Sequence, residues 1–222
     1  MSSISGGRVH IPSTRWYWVR HAPVVVNKGC CYGQSDLECV TDDAAAFERL
    51  AAKLPREAVW VVSNLKRTHQ TAAAIVAAGL PGPAQFPGPD VRVEPDLAEQ
   101  HFGEWQGQTY VSLAETRGEE YHRFWFAPAR ERAPGGESFA DLTERVHGVI
   151  DRLNREFAGQ TIIAVTHGGT IRAAIARALD LSPELALAFT VENTSLTQLD
   201  YFDDPAAKHG HVWRVGGINI RP

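Results

Sequence analysis

Residues 161–179 read TIIAVTHGGTIRAAIARAL. Thr161 to Val165 is a short apolar, β-branched run, as in a strand covered on both faces. Thr166-His167-Gly168-Gly169 follows at once as a turn, and Thr170 to Leu179 then reads as a helix. The same succession recurs upstream. Trp16-Tyr17-Trp18-Val19 reads as a strand that ends on Arg20-His21. Ala58 to Val62 is a second continuous apolar run, after which Ser63 or Asn64 is expected to cap a helix running through Ala78 and stopped by Gly79.

Between these units, Thr41 is expected to cap a helix that carries Phe47, Leu50, Ala51 and Leu54 on one face. Val91 to Val93 reads as a short strand. Ser138, with Asp141 three residues on, resembles a capping box and opens a helix with Phe139, Leu142, Val146, Val149, Leu153 and Phe157 on one side. Ser195 to Tyr201 and Val212 to Val215 read as two further strands. Repeated alternation of strand and helix predicts an α/β fold: a doubly wound, mostly parallel sheet with helices on both faces. Ligands of such folds gather outside the carboxyl ends of the strands.

A chain of 222 residues, 44% apolar and 22% charged, is long enough for one α/β domain with a sizeable core. Its net charge of -4 argues against a nucleic-acid partner, which calls for a basic excess. No stretch approaches the roughly 20 apolar residues that span a bilayer, so no membrane partner is expected. Met1 to Ser13 is polar, rich in Gly and Ser, and lacks the apolar core of a signal peptide, so it reads as a flexible leader to a single domain over 14–222. Cys30, Cys31 and Cys39 are an odd set without metal-ligand spacing, which points to a reducing, cytoplasmic setting and to structural thiols. Gly79 to Asp90 is Pro- and Gly-rich and reads as a surface loop.

Three segments with chemical potential fall at the carboxyl edge. Arg20-His21, Ser63 to Arg67, and Thr166 to Gly169 bring Arg, His, Arg and His from separate strands toward one place. A phosphate monoester is a dianion, and guanidinium offers planar charged donors that match its oxygens. A glycine-led helix N-terminus adds backbone N–H groups, and Gly168-Gly169 lets that backbone approach closely. An imidazole whose one nitrogen is held by a hydrogen bond can attack phosphorus with the other.

On these motifs the chain resembles the histidine phosphatase superfamily, the phosphoglycerate-mutase-like proteins. The family's Arg-His-Gly signature stands here as Arg20-His21-Ala22, with Asn27 six residues after the histidine and Gly33, Asp36 and Leu37 in a following loop. Ser63, Arg67 and Thr71 match a second motif; Glu99, Phe102, Gly103, Trp105 and Gly107 match a third. Pro134 to Ser138 is intact as Pro-Gly-Gly-Glu-Ser, and Thr166 to Gly169 completes the set. In length and motif spacing the chain is similar to the small α-ribazole-phosphatase-type and broad-specificity members.

The resemblance implies a phosphoglycerate-mutase-like fold and a metal-independent phosphomonoesterase acting on a small phosphorylated metabolite, with no cofactor and no metal. His21 would be the nucleophile. Arg20, Arg67 and His167 would grip the phosphoryl group, joined in phosphate binding by Asn27 and Gly168, and Glu99 would serve as acid and then base. Residues around 100–137 would form a short cap-like insertion, and a homodimer is a common state in the family.

Some readings stay open. Glu94 and Glu104 flank Glu99, which alone fits the motif register. His69 and His101 stand where they could line the site; Phe124, Trp125 and Phe126 could cover it or fill core; Trp105 reads as packing. The family's Gly is Ala22, followed by Pro23 and Val24, which weakens a mutase reading without removing a residue of phosphoryl transfer. The alternatives are a phosphoglycerate mutase and a non-catalytic phosphate-binding module. All three require two imidazoles and two guanidiniums around one oxyanion, with His21 not sealed off from solvent.

Overall fold

The structure, a computed structural model, describes residues 13–25, 29–207 and 209–222. Six strands are found: β1 (Ser13–Arg20), β2 (Val59–Val62), β3 (Val91–Val93), β4 (Thr161–Thr166), β5 (Leu196–Asp203) and β6 (His211–Ile220). They form one sheet in the order β3-β2-β4-β1-β5-β6. The β2–β3, β2–β4 and β1–β4 pairs are parallel, and β5 and β6 add to the β1 edge as antiparallel strands. Ser13 already belongs to β1, so the leader expected over 1–13 gives way one residue early; its other residues, and Asn27, lie outside the described residues.

Helices cover both faces, which is why the strands read as unbroken apolar runs. Trp16, Trp18, Ile162 and Ala164 face α4 (Phe139–Glu156) and α5 (Gly168–Leu179). Val19, Val62, Ile163 and Val165 face α1 (Ala44–Ala51) and α2 (Lys66–Ala77). Trp16 and Trp18 stack with ring centroids 4.6 Å apart, and the Trp16 indole N–H donates to Asn154 Oδ1 at 2.8 Å. A buried indole without such an acceptor would lose a hydrogen bond it makes in water.

Local caps depart from the sequence reading in two places. The cap of α1 is Asp43, whose Oδ1 accepts from Ala46 N at 3.0 Å; Thr41 stands two residues too early for that bond. Helix α2 begins at Lys66, and neither Ser63 nor Asn64 caps it. Asp36 does so from a remote loop, accepting from Lys66 N at 2.7 Å, while the Ser63 hydroxyl bonds His167 and accepts from Leu65 N at 3.2 Å, one residue short of the helix. The Ser138–Asp141 capping box is present as expected. Strand β6 outruns the expected Val212 to Val215; Gly216 and Gly217 interrupt the apolar pattern, and irregular pairing near Gln198 absorbs them.

The 100–137 segment carries α3 (Tyr110–Phe126), bent at Gly118, where φ is 45° and ψ is -113°. Its buried side, Leu113 and Phe124, packs with Cys31, Trp105 and Ala133 in a small core of its own. Phe124 and Trp105 are thus packing residues, whereas Trp125 and Phe126 are 47% and 90% exposed and fill no core. Among the described residues no helix is long and apolar enough to cross a membrane.

The register of the central strands sets the level of the chemistry. Arg20 pairs with Thr166 across the parallel β1–β4 ladder, and Val62 with Val165 on the other side of β4. The residues just beyond these ends, His21, Ser63 and His167, therefore leave the sheet at one level.

Ile163 is fully buried on central β4, so Ile163→Ala should remove about 2–5 kcal/mol of stability. A lowered urea midpoint with an unchanged slope is the expected readout.

Candidate active site

The four cationic or imidazole side chains expected together are together. His21 and His167 have ring centroids 5.2 Å apart, and the Arg67 Nε–H donates to His167 Nδ1 at 3.3 Å. His21 Nδ1 lies 2.7 Å from Ala22 O. A carbonyl can only accept, so Nδ1 carries the proton and Nε2 holds a lone pair. Nε2 is buried and has no hydrogen-bond partner among the described residues. The backbone of His21 is pinned from both sides: its N–H donates to Thr166 O at 2.9 Å, and its carbonyl accepts from Asn193 Nδ2 at 2.8 Å.

His167 is held by the same logic in the other sense. Its Nδ1 accepts from Arg67, so Nε2 bears the proton and donates to Ser63 Oγ at 2.7 Å. Arg67 has no exposed surface. Its Nη1 and Nη2 donate to Ser35 O at 2.8 Å and Gly33 O at 2.6 Å, and its guanidinium lies over the Tyr32 ring at 5.2 Å. Arg20 donates through Nη1 to Val191 O at 2.6 Å, while its buried Nε has no partner among the described residues.

Burial holds both imidazoles well below their ordinary pKa of 6.5, and the nearby Arg67 charge pushes in the same direction. Burial also lowers the pKa of Arg67, against a raising effect from Glu99.

Glu99 sits after the turn Pro95–Leu97, with Oε1 accepting from Gly169 N at 3.1 Å and from Gln100 N at 3.0 Å. It thereby supplies the anion for the N-terminus of α5, whose own cap residue, His167, makes no side-chain capping bond. Oε2 has only a 3.4 Å approach from Gly169 N. A Cβ on Gly169 would overlap Oε1, so any other residue there would displace the Glu99 carboxylate from this position. The neighbouring carboxylates are occupied elsewhere: Glu94 with Arg92 and Arg152, Glu104 with Arg117.

A cleft of about 240 Å³ opens over this cluster, lined in part by Arg20, Tyr32, Glu99, Tyr110, Gly169 and Arg172. His69 and His101 do not line it. His69 borders a separate hollow beside Phe86, and His101 Nδ1 accepts from Gly103 N at 3.3 Å. The floor differs from expectation in one respect: His21, Arg67 and His167 have no exposed surface. The Tyr32 ring stands edge-on to His21 at 6.5 Å, and Tyr32 and Gly33 form part of the cleft wall.

Sequence reasoning missed Tyr32, Tyr110, Asn193 and Arg172. The first three stand on loops or at a helix start, which carry no periodic signal. Arg172 was legible in principle, since it follows Gly168 by four residues and so shares its helix face.

A sequence profile of the histidine phosphatase superfamily, branch 1, matches residues 16–213. A protein of Mycobacterium tuberculosis described as bifunctional is 33% identical over 159 residues, which are 72% of this chain and 41% of the relative. The chain thus matches less than half of that relative's length. The metal-independent phosphoserine phosphatase of Arabidopsis thaliana is 34% identical over 160 residues, 70% of this chain and 64% of that protein. The native structure of a mycobacterial glucosyl-3-phosphoglycerate phosphatase superposes with a TM-score of 0.75 at 26% identity, covering 94% of this chain and 99% of that one.

Two outcomes are expected from this geometry. An imidazole kept neutral in the fold but protonated when unfolded lets the unfolded state bind more protons below pH 6.5. Stability is therefore undiminished above that pH and declines as pH falls below it; the slope in a pH series of urea melts should be shallower in a His21→Gln, His167→Gln double variant. Diethyl pyrocarbonate, which acylates accessible neutral imidazole, should spare His21 in the native protein and modify it in Tyr32→Ala, as read by peptide mass mapping.

Proposed function

The chain belongs to the histidine phosphatase superfamily, and on that premise we propose that it is a phosphomonoesterase that carries the phosphoryl group on Nε2 of His21 and needs no metal. One observation carries this reading: His21 Nδ1 is tied to Ala22 O, and the lone pair of Nε2 is left free beside buried guanidiniums. An imidazole in that tautomer is a ready nucleophile.

In the first step Nε2 attacks phosphorus and the bond to the ester oxygen breaks. The leaving oxygen takes a proton from Glu99, whose carboxylate first takes it up from solvent as the dianionic ester binds beside it and whose Oε2 is the less engaged oxygen. In the second step Glu99, now a carboxylate, takes a proton from water. The water oxygen attacks phosphorus, the N–P bond breaks, and inorganic phosphate leaves with His21 restored. One group serves both steps because what it gives in the first it recovers in the second.

Arg20 Nε, the remaining N–H bonds of Arg67 and the backbone at Gly168 supply positive potential to the equatorial oxygens. His167 acts through Arg67: its Nδ1 accepts from Arg67 Nε and its Nε2–H is held by Ser63 Oγ, which fixes the guanidinium beside the phosphoryl group. Residues 100–137 act as a cap, since Phe102 and Tyr110 line the cleft. An ester reaches Nε2 only when the Tyr32–Gly33 wall or Arg20 gives way.

Para-nitrophenyl phosphate should be hydrolysed in the presence of EDTA. His21→Ala should reduce kcat by at least about 10³-fold, by loss of the nucleophile. Glu99→Gln should slow release of phosphate by about 10²–10⁴-fold. An acid-labile phosphoryl group on His21 should then accumulate, visible by mass spectrometry after an alkaline quench. Turnover retained in His21→Ala would overturn the assignment. Conversion of 3- to 2-phosphoglycerate, followed by a coupled assay, should be absent; its presence would favour the mutase.

A further inference from the structure

Two residues beside the nucleophile have no part in the phosphoryl-transfer steps. Thr71 closes the Ser63–Arg67–Thr71 motif on α2, and Asn193 belongs to the loop before β5. Both are bonded to one peptide group, the one that joins His21 to Ala22. Asn193 Nδ2 donates to the carbonyl oxygen of that group at 2.8 Å. Thr71 Oγ1 accepts from its N–H at 2.9 Å. The oxygen and hydrogen of a trans peptide point to opposite sides of the chain. The two side chains therefore hold its plane from both sides, and the plane cannot swing without breaking both bonds.

The orientation of this plane decides where the next carbonyl stands. That carbonyl, Ala22 O, lies 2.7 Å from His21 Nδ1 and sets the tautomer of the ring. Swinging the plane would change ψ of His21 and φ of Ala22 together, and φ of Ala22 aims Ala22 O. The remaining torsion, ψ of Ala22, is confined to extended values because Pro23 follows. Pro23 O is held in turn by Val40 N at 2.7 Å.

Each clamp is itself anchored. The Thr71 hydroxyl donates to Arg67 O at 2.7 Å, so a lone pair is what it offers Ala22. Thr71 and Ala22 have no exposed surface, so water does not stand in for their bond. Asn193 is placed by its neighbours: Thr194 N donates to Arg20 O at 3.0 Å, and Ser195 O accepts from Arg20 N at 3.2 Å. Two loop residues thus face one strand residue, as in a β-bulge, with Thr194 at φ 57°. A β-branched residue is strained in that region and persists there only when its surroundings hold it. Glu192 N, which donates to Asn219 Oδ1 at 2.7 Å, fixes the other end of the loop to β6.

We infer that Thr71 and Asn193 are positioning residues for the nucleophile: together they clamp the His21–Ala22 peptide, so that Ala22 O keeps the proton on Nδ1 and Nε2 stays bare. The inference rests on the phosphomonoesterase reading for its effect on turnover, and on hydrogen bonding alone for its effect on the ring. Without the clamp Ala22 O drifts from Nδ1. The proton then passes to Nε2 in part of the molecules, and a ring in that form cannot attack phosphorus.

Imidazole 15N NMR reads the tautomer of His21 directly, with its resonances assigned by their loss in His21→Gln. Wild type should show a protonated Nδ1 and a bare Nε2. Thr71→Val, which keeps the side-chain shape, and Asn193→Ala should each populate the Nε2–H form. Each should lower kcat on para-nitrophenyl phosphate by about tenfold, the worth of one lost hydrogen bond. KM should stay within about twofold, since neither residue meets the ester. Thr71→Ser keeps the oxygen and should match wild type in spectrum and rate. Because both residues hold one plane, the double variant should lose little more than either single variant.

A wild-type ring spectrum in either single variant would overturn the inference, as would losses that multiply in the double variant. Rapid hydrogen exchange of the Ala22 amide in native wild type would do so without recourse to any variant. The ring spectra also separate this inference from the hydrolytic reading. If wild type hydrolyses no ester while both variants move the proton to Nε2, the hydrolytic reading falls and the clamp survives. If hydrolysis proceeds and the ring spectra do not change, the clamp falls alone.

Discussion

A guanidinium without any surface open to water is the constraint from which the site follows. Arg67 loses its hydration entirely, and three acceptors replace it: Gly33 O, Ser35 O and His167 Nδ1. Leaving such a charge unpaired in the interior would cost several kcal/mol, so the chain must bring those acceptors to it. That requirement folds the 33–36 loop against α2, and the loop in turn delivers Asp36 to Lys66 N, where the helix has no cap of its own. The same charge acts on both imidazoles. Burial disfavours the protonated ring first, and Arg67 adds like-charge repulsion, so His21 and His167 stay neutral. The neutrality of both rings and the tautomer of His167 are therefore consequences of one buried cation.

The start of α5 supplies the opposing charge. Glu99 occupies the helix N-terminus through Gly169 N, and the absent side chain of Gly169 leaves the carboxylate its place there. Arg20 and Arg172 line the cleft with Glu99 as its one carboxylate among the described residues, while Arg67 lies buried beneath it, under the charge of Glu99 and Asp36. Guanidiniums, the N-terminus of α5 and two neutral rings together give the site a positive potential.

Much of this arrangement is legible in the sequence. The strands ending on Arg20, Val62 and Thr166 stand out as apolar runs because helices cover both faces of the sheet, and Arg20, His21, Arg67, Glu99 and His167 converge as the motif order implied. What escaped the sequence was set by partners distant along the chain. Ser63 looked like a helix cap, but its hydroxyl is claimed by His167, 104 residues away. Asp36 caps a helix whose first residue lies 30 positions downstream, which no local pattern encodes. Arg172 looks like any solvated arginine of an amphipathic helix until Arg20 is seen beside it. The exposed Trp125 and Phe126 show the reverse case, in which aromatic composition suggests core and the bent α3 turns them outward.

Ala22-Pro23-Val24, where the resemblance departs from its pattern, touches the chemistry less than its position suggests. The service that residue 22 performs is done by its backbone. Its carbonyl orients His21 Nδ1, and its N–H donates to Thr71 Oγ1 at 2.9 Å. Neither bond uses the alanine side chain, and Ala22 is not among the residues with positive φ, so a methyl group adds no strain. Thr71 in turn donates to Arg67 O at 2.7 Å, so residue 22 is tied to the helix that carries the buried guanidinium. Pro23 gives up a backbone donor but keeps its carbonyl, which accepts from Val40 N at 2.7 Å and pins the strand end to the segment before α1. What the departure removes is a set of polar side chains, and none of residues 22–24 lines the cleft.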